Sequence, residues 1–175
     1  KQIKQIENLV NEFSDFARMP KPILKDNNLV SLVKENIKLI NELDNKIIID
    51  FKSDKPTILL NSDSEQLSRV FFNLIKNSIE SIQDKIIDNV DLTGRIDISI
   101  NENEGKINFI IIDNGLGFGI FVDNIKDILN PYFTTKKKGT GLGLSIVNKI
   151  INDHNGKINF VSLENGAKIE IIFTK

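Results

Sequence analysis

The sequence predicts an α+β fold of two layers, in which helices pack on one face of a mixed, mostly antiparallel sheet. Segments with apolar residues at helical spacing alternate with short runs rich in isoleucine and phenylalanine, which are typical of strands. Two pairs of these runs are joined by short glycine-containing turns, as in β-hairpins. The 175 residues, 40% of them hydrophobic and 27% charged, are enough for one domain with a core.

The composition also excludes several kinds of site and partner. The net charge is −1 and the basic residues are scattered, so there is no electrostatic reason to expect nucleic acid as a partner. Cysteine is absent, which rules out disulfides and thiolate metal sites. No apolar run approaches the roughly 20 residues that span a bilayer, and no signal peptide opens the chain. We therefore expect a cytoplasmic segment.

The first predicted element is a helix whose apolar residues recur at intervals of three and four, the pattern of a helix that packs on another helix. These residues are Ile3, Ile6, Val10, Phe13 and Ala17. No capping residue precedes them, so we expect the chain to begin inside a longer helix, although a helix packed on its own domain would show the same spacing. Pro20 and Pro22 end the helix. We divide the chain into this helix, a linker and a domain, at residues 1–19, 20–26 and 27–175.

The first half of the predicted domain contains two helices and two short strands. The apolar face of the first helix consists of Leu29, Leu32, Val33, Ile37 and Ile40. Asn28 or Asp26 is its expected N-cap. Strands are predicted at residues 47–51 and 58–60. A longer helix follows from Ser62 to about residue 85, and Ser62 has the spacing of a capping box with Glu65.

The second half predicts two hairpins on either side of one helix. The first pair of strands is predicted at 96–100 and 106–113, with a turn at 101–105. An irregular region at 114–141 and a helix at 142–153 follow. The second pair of strands is predicted at 156–162 and 167–173, with a turn at 164–166.

Three glycines at alternate positions, Gly139, Gly141 and Gly143, precede the last helix. The segment is not a P-loop, because its lysines come before the glycines, and Ile146 stands where a dinucleotide fingerprint needs its third glycine. Glycines permit a close approach of a ligand to the backbone, and the N–H groups at a helix N-terminus attract phosphate. By itself, however, the segment fits a surface loop that ends in a helix cap equally well.

Two further segments carry polar groups suited to a nucleotide. Asn73 and Asn77 lie one helical turn apart, and their amide oxygens are suitable ligands for Mg²⁺, although such a pair is more often part of a solvated face. Asp113 ends an apolar strand and is followed by glycines at three alternate positions, Gly115, Gly117 and Gly119. Its carboxylate could accept a hydrogen bond from an exocyclic amine such as that of adenine. A simple Asn-Gly hairpin turn is the alternative, but no alternating strand follows.

The segments NLIKN, DNGLGFG, PYFTTK and GTGLGLS, in this order, resemble the N, G1, F and G2 boxes of sensor histidine kinases. These kinases share an ATPase superfamily with gyrase, Hsp90 and MutL. The resemblance covers residues 24–175. The segment VNEFSDFARMPKP is similar to the junction between the second dimerisation helix and the catalytic domain in nitrogen-regulation sensor kinases of the NtrY type.

The resemblance implies the Bergerat ATP-binding fold, a two-layer α/β sandwich, preceded by a remnant of the second dimerisation helix. It implies that Asn77 binds Mg²⁺ with help from Asn73, that Asp113 binds the adenine amino group, and that Gly115 and Gly117 lie beside the base. Residues 114–140 would form a mobile lid over ATP, positioned by Phe133. The residues implied at the phosphates are Lys136, Gly139, Thr140, Gly141, Leu142 and Gly143.

Departures from the family pattern refine this interpretation. Related hydrolases carry a glutamate where this sequence has Asn73, and an amide cannot act as a general base, which favours a kinase over an ATPase. Glu80 stands where many sensor kinases have a lysine, so that phosphate contact is absent or comes from Lys136 or Lys76. The only histidine, His154, lacks the context of a phosphoacceptor, and we interpret it as structural.

The sequence therefore predicts the catalytic fragment of a sensor histidine kinase that binds ATP and Mg²⁺ but cannot autophosphorylate alone. The resemblance implies a phosphoacceptor histidine on an upstream dimerisation domain, a homodimer in the intact protein, a response regulator as the next acceptor, and anchoring of the intact protein at the inner face of the cell membrane. An ATP-hydrolysing relative and a nucleotide-free pseudokinase are the alternatives.

Overall fold

The computed structural model describes Ser14 and residues 19–43, 46–118, 125–134 and 140–175. In this part of the chain there are seven strands and three α-helices, and all of them except the first strand follow the predicted order. The strands are β1 (Lys25–Asn28), β2 (Ile48–Ser53), β3 (Leu59–Ser62), β4 (Arg95–Asn103), β5 (Lys106–Asp113), β6 (Lys157–Leu163) and β7 (Gly166–Thr174). The helices are α1 (Leu29–Leu43), α2 (Ser64–Asp88) and α3 (Gly143–Asp153). Apart from Ser14 and Met19, the predicted N-terminal helix lies outside the described residues.

Five of the strands form one sheet in the order β2-β4-β5-β7-β6. All neighbours in it are antiparallel except β2 and β4, which are parallel. The remaining strands, β1 and β3, form a separate antiparallel pair. The prediction of a mixed, mostly antiparallel sheet with helices is confirmed.

The core lies between one face of the five-stranded sheet and the helices. Alternation along β5 shows this, because Ile111 and Asp113 are 1% and 5% exposed whereas Ile112 between them is 36% exposed. The buried residues of α2 pack in the same cluster as the inward residues of β4, β5 and β7. Those residues of α2 are Leu67, Val70, Phe71, Leu74, Ile75, Ile79 and Ile82, and Ser78 on the same helix is also buried. One helix face and one sheet face are therefore buried together, as the two-layer prediction requires.

The start of α2 differs by one residue from the predicted capping box. Asp63 is the N-cap, and its Oδ1 accepts hydrogen bonds from the backbone N–H groups of Glu65 and Gln66, both at 3.1 Å. Ser62 is the last residue of β3, and its hydroxyl donates to the Leu60 carbonyl at 3.1 Å. The capping-box prediction was wrong because pairing with β1 keeps Ser62 extended and leaves the cap to the stronger acceptor beside it.

The start of α1 decides between the two caps that the sequence allowed. Asn28 Oδ1 accepts a hydrogen bond from the Val30 N–H at 3.1 Å, so Asn28 is the cap. Lys25 and Asp26, which we placed in the linker, pair with Ser62 and Asn61 in the β1–β3 ladder. Sheet contacts therefore begin inside the predicted linker, and the division into domains stays a prediction.

Three connections are also shorter or more regular than predicted. The strands β4 and β5 continue to a two-residue turn, Glu104 and Gly105, both of which have positive φ. The region predicted as irregular contains a short 3-10 helix at Ile125–Leu129. The second hairpin lies where it was predicted, but its turn is shorter, because Gly166, predicted in the turn, pairs with Leu163 as the first residue of β7. Within the described ranges, no helix has the length and apolar character needed to cross a membrane.

Candidate nucleotide-binding site

The site is built along one edge of α2, beside the helix's apolar face. Asn73 and Asn77 lie one turn apart on this edge and are both half-buried, as the sequence predicted. Ser78 is buried, and its hydroxyl points toward the end of β5. About five residues of helix, or roughly 7.5 Å along the axis, separate Asn73 from Ser78. A single helix therefore carries polar groups for two ends of an elongated ligand.

The carboxylate of Asp113 occupies one end of the site. It is 5% exposed, its Oδ2 accepts from the Ser78 hydroxyl at 2.9 Å, and its Oδ1 accepts from the Gly115 N–H at 3.0 Å. Burial raises the pKa of Asp113, an effect that hydrogen bonds from Gly115, Ser78 and the Ala167 backbone and the charge of Lys85 oppose in part. A buried acceptor held in this way suits recognition of an amine.

The loop after β5 packs directly on α2. A Cβ at Gly115 would lie 2.5 Å from Ser81 Oγ and 2.9 Å from the backbone nitrogen of Ile82, so only glycine allows this approach. Gly117 lies against the carbonyl of Gly166, on the second hairpin. The two glycines predicted beside the base thus lie in a narrow passage between α2 and the β6–β7 turn.

The N-terminus of α3 lies at the other end of the site. Leu142 is its N-cap, is fully buried, and has no side-chain cap hydrogen bond. A Cβ at Gly143 would be 4.0 Å from Asn73 Oδ1, its nearest heavy atom outside the adjoining chain. The helix N-terminus and the amide oxygen of Asn73 therefore face the same space, and glycine leaves that space open. N–H groups and a helix dipole at such a place are suited to phosphate.

A backbone hydrogen bond joins two parts of the chain that precede α3. The Tyr132 N–H donates to the Gly141 carbonyl at 3.0 Å. Gly141 has a φ of +71°, and a Cβ there would lie 2.4 Å from the Tyr132 carbonyl carbon. Phe133 is half-buried, and Thr140 adjoins Gly141, with its hydroxyl 3.4 Å from the Leu142 nitrogen. Lys136 and Gly139, which we also assigned to the phosphates, lie outside the described residues.

Three residues that contact the site were missed by sequence reasoning. Ser78, Ser81 and Lys85 follow one another on α2 at intervals of three and four and contact Asp113 and the loop after it. This spacing is visible in the sequence, but serine and lysine at helical spacing are ordinary on a solvated face.

The two charged residues discussed for the phosphates form an ion pair on α2. Lys76 Nζ lies 3.8 Å from Glu80 Oε1, and the Lys76 side chain is 57% exposed. In this arrangement Glu80 partly neutralises the lysine that we considered as a replacement for the missing cation.

His154 lies at the end of α3, where the sequence placed it. It is 6% exposed, its Nε2 accepts from the Asp63 N–H at 2.9 Å, and its Nδ1 lies 2.8 Å from the Ile150 carbonyl. These contacts require the proton on Nδ1 and join the end of α3 to the start of α2. Both ring nitrogens are therefore engaged inside the fold.

The donor set fits a metal ion only in partnership with a ligand. Among the described residues, no group of three His, Cys, Asp or Glu side chains could hold a metal. The amide oxygens of Asn73 and Asn77 are suitable donors for Mg²⁺, an ion that usually keeps waters and shares substrate phosphates. The structure thus fits Mg²⁺ bound together with a phosphate chain rather than in a protein cage.

Comparisons with known proteins show the family of the chain. Residues 62–175 match the sequence model of the family described as histidine kinase-, DNA gyrase B-, and HSP90-like ATPase. The chain is 35% identical over 169 residues to a putative sensor histidine kinase NtrY-like from Rickettsia felis, a match that covers 96% of this chain and 27% of that protein. The chain therefore spans about a quarter of the length of this curated relative.

Solved structures show the same fold. The catalytic domain of histidine kinase ThkA, in a nucleotide-free form, has a TM-score of 0.73 at 31% identity, with 87% of this chain and 95% of that chain covered. Histidine kinase ThkA in complex with the response regulator TrrA has a TM-score of 0.78 at 23% identity, with 99% of this chain and 48% of that chain covered. The second likeness concerns the fold alone. The sequence match, the fold and the similar proteins lead to the same conclusion. The chain belongs to the histidine kinase-, DNA gyrase B- and HSP90-like ATPase family and contains a catalytic domain of the sensor histidine kinase type.

Proposed function

We propose that this chain binds Mg-ATP between α2 and the segment that precedes α3, and that it donates the γ-phosphate to a histidine on a dimerisation domain of the same kinase. The observation that carries the proposal is a pair of polar features at the two ends of one edge of α2. At one end lies a buried carboxylate, and at the other end an uncapped helix N-terminus faces an amide oxygen. The first suits an adenine amino group and the second suits phosphates.

The chain's own residues bind and orient the nucleotide. Asp113 accepts a hydrogen bond from the 6-amino group of the base, and Gly115 and Gly117 let the backbone pass beside the ring. The N-terminus of α3 at Leu142 and Gly143 holds the phosphates. The assignment of Thr140, Gly141, Lys136, Gly139 and Phe133 to the lid and phosphates remains part of the proposal. Positioning of this kind supplies most of the catalysis in phosphoryl transfer.

The metal assignment rests on the amide pair. Asn77, with Asn73 beside it, would hold Mg²⁺ through side-chain oxygens. When bound, the ion neutralises charge on the β- and γ-phosphates. Asn73 also bears on the type of reaction, because an amide cannot take the proton of an attacking water. The site thus favours transfer to another nucleophile over hydrolysis.

The partners follow from the kind of protein to which the chain is similar. The ThkA kinase has been solved in complex with a response regulator, and the Rickettsia relative is named a sensor histidine kinase. We infer that the phosphate passes from the dimerisation-domain histidine to an aspartate of a response regulator. His154 is not the acceptor in this proposal, because it is 6% exposed and both of its ring nitrogens are engaged.

Calorimetric titration of ATP into the chain, with and without Mg²⁺, tests the proposal. We expect binding in the unmodified chain, loss of binding in Asp113→Asn, and loss of the Mg²⁺ dependence in Asn77→Ala. Two matched controls keep the chemistry of the change but lie elsewhere. Asp97→Asn removes a carboxylate that faces outward from β4 and pairs with Arg95, and Asn41→Ala removes an exposed amide on α1.

The outcomes separate the alternatives. Both controls should bind ATP as the unmodified chain does. If the unmodified chain gives no heat at millimolar ATP, the proposal is wrong and the fold serves as a scaffold without nucleotide. If the chain alone steadily converts ATP to ADP, and Asp113→Asn stops this conversion, the hydrolase alternative replaces the kinase.

A further inference from the structure

We propose that Lys85 is a positioning residue for base recognition, which holds the loop after β5 so that Asp113 presents its carboxylate to the base. The inference rests on the proposed nucleotide site and adds to it a residue that the sequence boxes do not contain. Lys85 lies in the last turn of α2, two turns beyond Asn77. Its role depends on contacts with the loop backbone rather than with a ligand.

The central observation is a pair of hydrogen bonds from one ammonium group. Lys85 Nζ donates to the backbone carbonyl of Asn114 at 2.9 Å and to that of Gly115 at 2.9 Å, in a partly buried position. Two consecutive carbonyls directed at one point repel each other, and the cation between them offsets this repulsion. A hydrogen bond from a charged donor is also stronger than one between neutral groups.

Lys85 completes a series of three contacts between α2 and the loop. The Ser78 hydroxyl donates to Asp113 Oδ2, and the Ser81 hydroxyl accepts from the Leu116 N–H at 3.0 Å. With intervals of three and four residues, Ser78, Ser81 and Lys85 share one face of the helix. Lys85 is the charged member of the series, and its charge acts against the effect of burial, which raises the pKa of Asp113. It therefore favours the ionised carboxylate.

A separate set of contacts would keep the loop attached without Lys85. The Asn114 side chain accepts from the Arg95 N–H at 2.9 Å and donates to the Thr93 carbonyl at 2.8 Å. The backbone N–H of Asn114 also donates to the Arg95 carbonyl. Removal of Lys85 should therefore loosen the two carbonyls and the carboxylate beside them while the start of β4 and the end of β5 stay paired.

The test compares two nucleotides that differ at the 6-position of the base. ATP and purine riboside triphosphate, which lacks the 6-amino group, are titrated into the full chain and into Lys85→Met. The unmodified chain should bind ATP at least about tenfold more tightly than the analogue, because the analogue leaves the buried carboxylate without its partner. In Lys85→Met we expect ATP affinity to fall about tenfold and analogue affinity to change less than twofold.

A merely structural role would give a different result. General weakening of the fold would lower both affinities equally and leave their ratio unchanged, and that outcome overturns the inference. Lys85→Arg, which keeps a cation with several donors, should retain most of the ratio. Lys85→Gln, which stays polar if the methionine variant does not fold, should lose most of it. If the unmodified chain binds neither nucleotide, the proposed function fails along with the inference. If it binds both equally, the assignment of Asp113 fails.

Discussion

Replacement of Gly141 by alanine should weaken nucleotide binding as well as the fold. Gly141 has a φ of +71°, and the carbonyl carbon, Cα and carbonyl oxygen of Tyr132 would lie 2.4, 2.7 and 2.7 Å from an added Cβ. Distances below 3.0 Å to backbone atoms cannot be relieved by a side-chain rotation, so the Tyr132 backbone or Gly141 itself must move. The Tyr132–Gly141 hydrogen bond joins the two segments that move apart.

The chain offers a matched control for the backbone strain alone. Gly105, in the turn between β4 and β5, has a φ of +74°, and nothing lies within 4 Å of an added Cβ. An alanine in the left-handed region costs about 1–2 kcal/mol at either position. The steric displacement therefore arises in Gly141→Ala and not in Gly105→Ala. Because Gly141 immediately precedes Leu142 and Gly143, this displacement reaches the proposed phosphate site.

Urea unfolding and ATP titration of the two variants measure the two effects separately. Gly105→Ala should lose about 1–2 kcal/mol of unfolding free energy and bind ATP like the unmodified chain. Gly141→Ala should lose at least about tenfold in ATP affinity, which corresponds to about 1.4 kcal/mol. Unchanged ATP affinity in Gly141→Ala, or an equal loss of affinity in both variants, would refute the reasoning.

Three further outcomes can be measured by unfolding other variants. At pH 7, Asp113→Asn should unfold at the same urea concentration as the unmodified chain or at a higher one, because burial raises the pKa of Asp113 and makes its ionised form costly. The advantage of that variant should shrink as pH falls through the raised folded pKa and be gone below the ordinary value of 3.8, because there the carboxyl is protonated in both the folded and the unfolded state. Asp63 should behave in the opposite way, because burial raises its pKa but backbone N–H donors outweigh this and lower it. Its contribution to the free energy of unfolding is therefore present above pH 3.8 and lost as pH falls through the folded pKa. Equal midpoints of acid unfolding for the chain and Asp63→Asn would contradict this. His154→Ala should lose about 1–3 kcal/mol of unfolding free energy, because the Asp63 N–H loses its acceptor, and an unchanged urea midpoint would count against this contact.

Most of the fold was predictable because periodicity reports burial. The apolar spacing of α2 and the alternation in β5 identified the two faces that the structure buries together. The strand β1 was missed because its sequence, Lys25–Asn28, has no apolar residue, and only pairing with β3 makes it extended. The parallel pairing of β2 with β4 depends on contacts distant in the sequence, which local patterns do not contain.

The candidate site was predictable to a different extent at its two ends. The four ordered boxes made Asp113, Asn73 and the segment before α3 candidates, because the resemblance assigns roles to residues whose individual patterns left the alternatives open. The residues that support them were not identified, because Ser81 and Lys85 act only through the loop that folds over their helix. Which face of α2 meets that loop is a property of the tertiary structure.

The uninterrupted helix α2 has a consequence for how this site can vary. Asn73, Ser78 and Lys85 lie on one helix of 25 residues, so the helix geometry fixes the distance between the two ends of the proposed site. One extra residue between Asn77 and Ser78 would rotate Ser78 and Lys85 by about 100° around the helix axis relative to Asn77. They would then no longer face the loop after β5. Four extra residues would return the residues beyond them to nearly the same face of the helix but increase the distance between the two ends of the site by about 6 Å. The distance between the two ends of the proposed site therefore depends on the number of residues between them along α2.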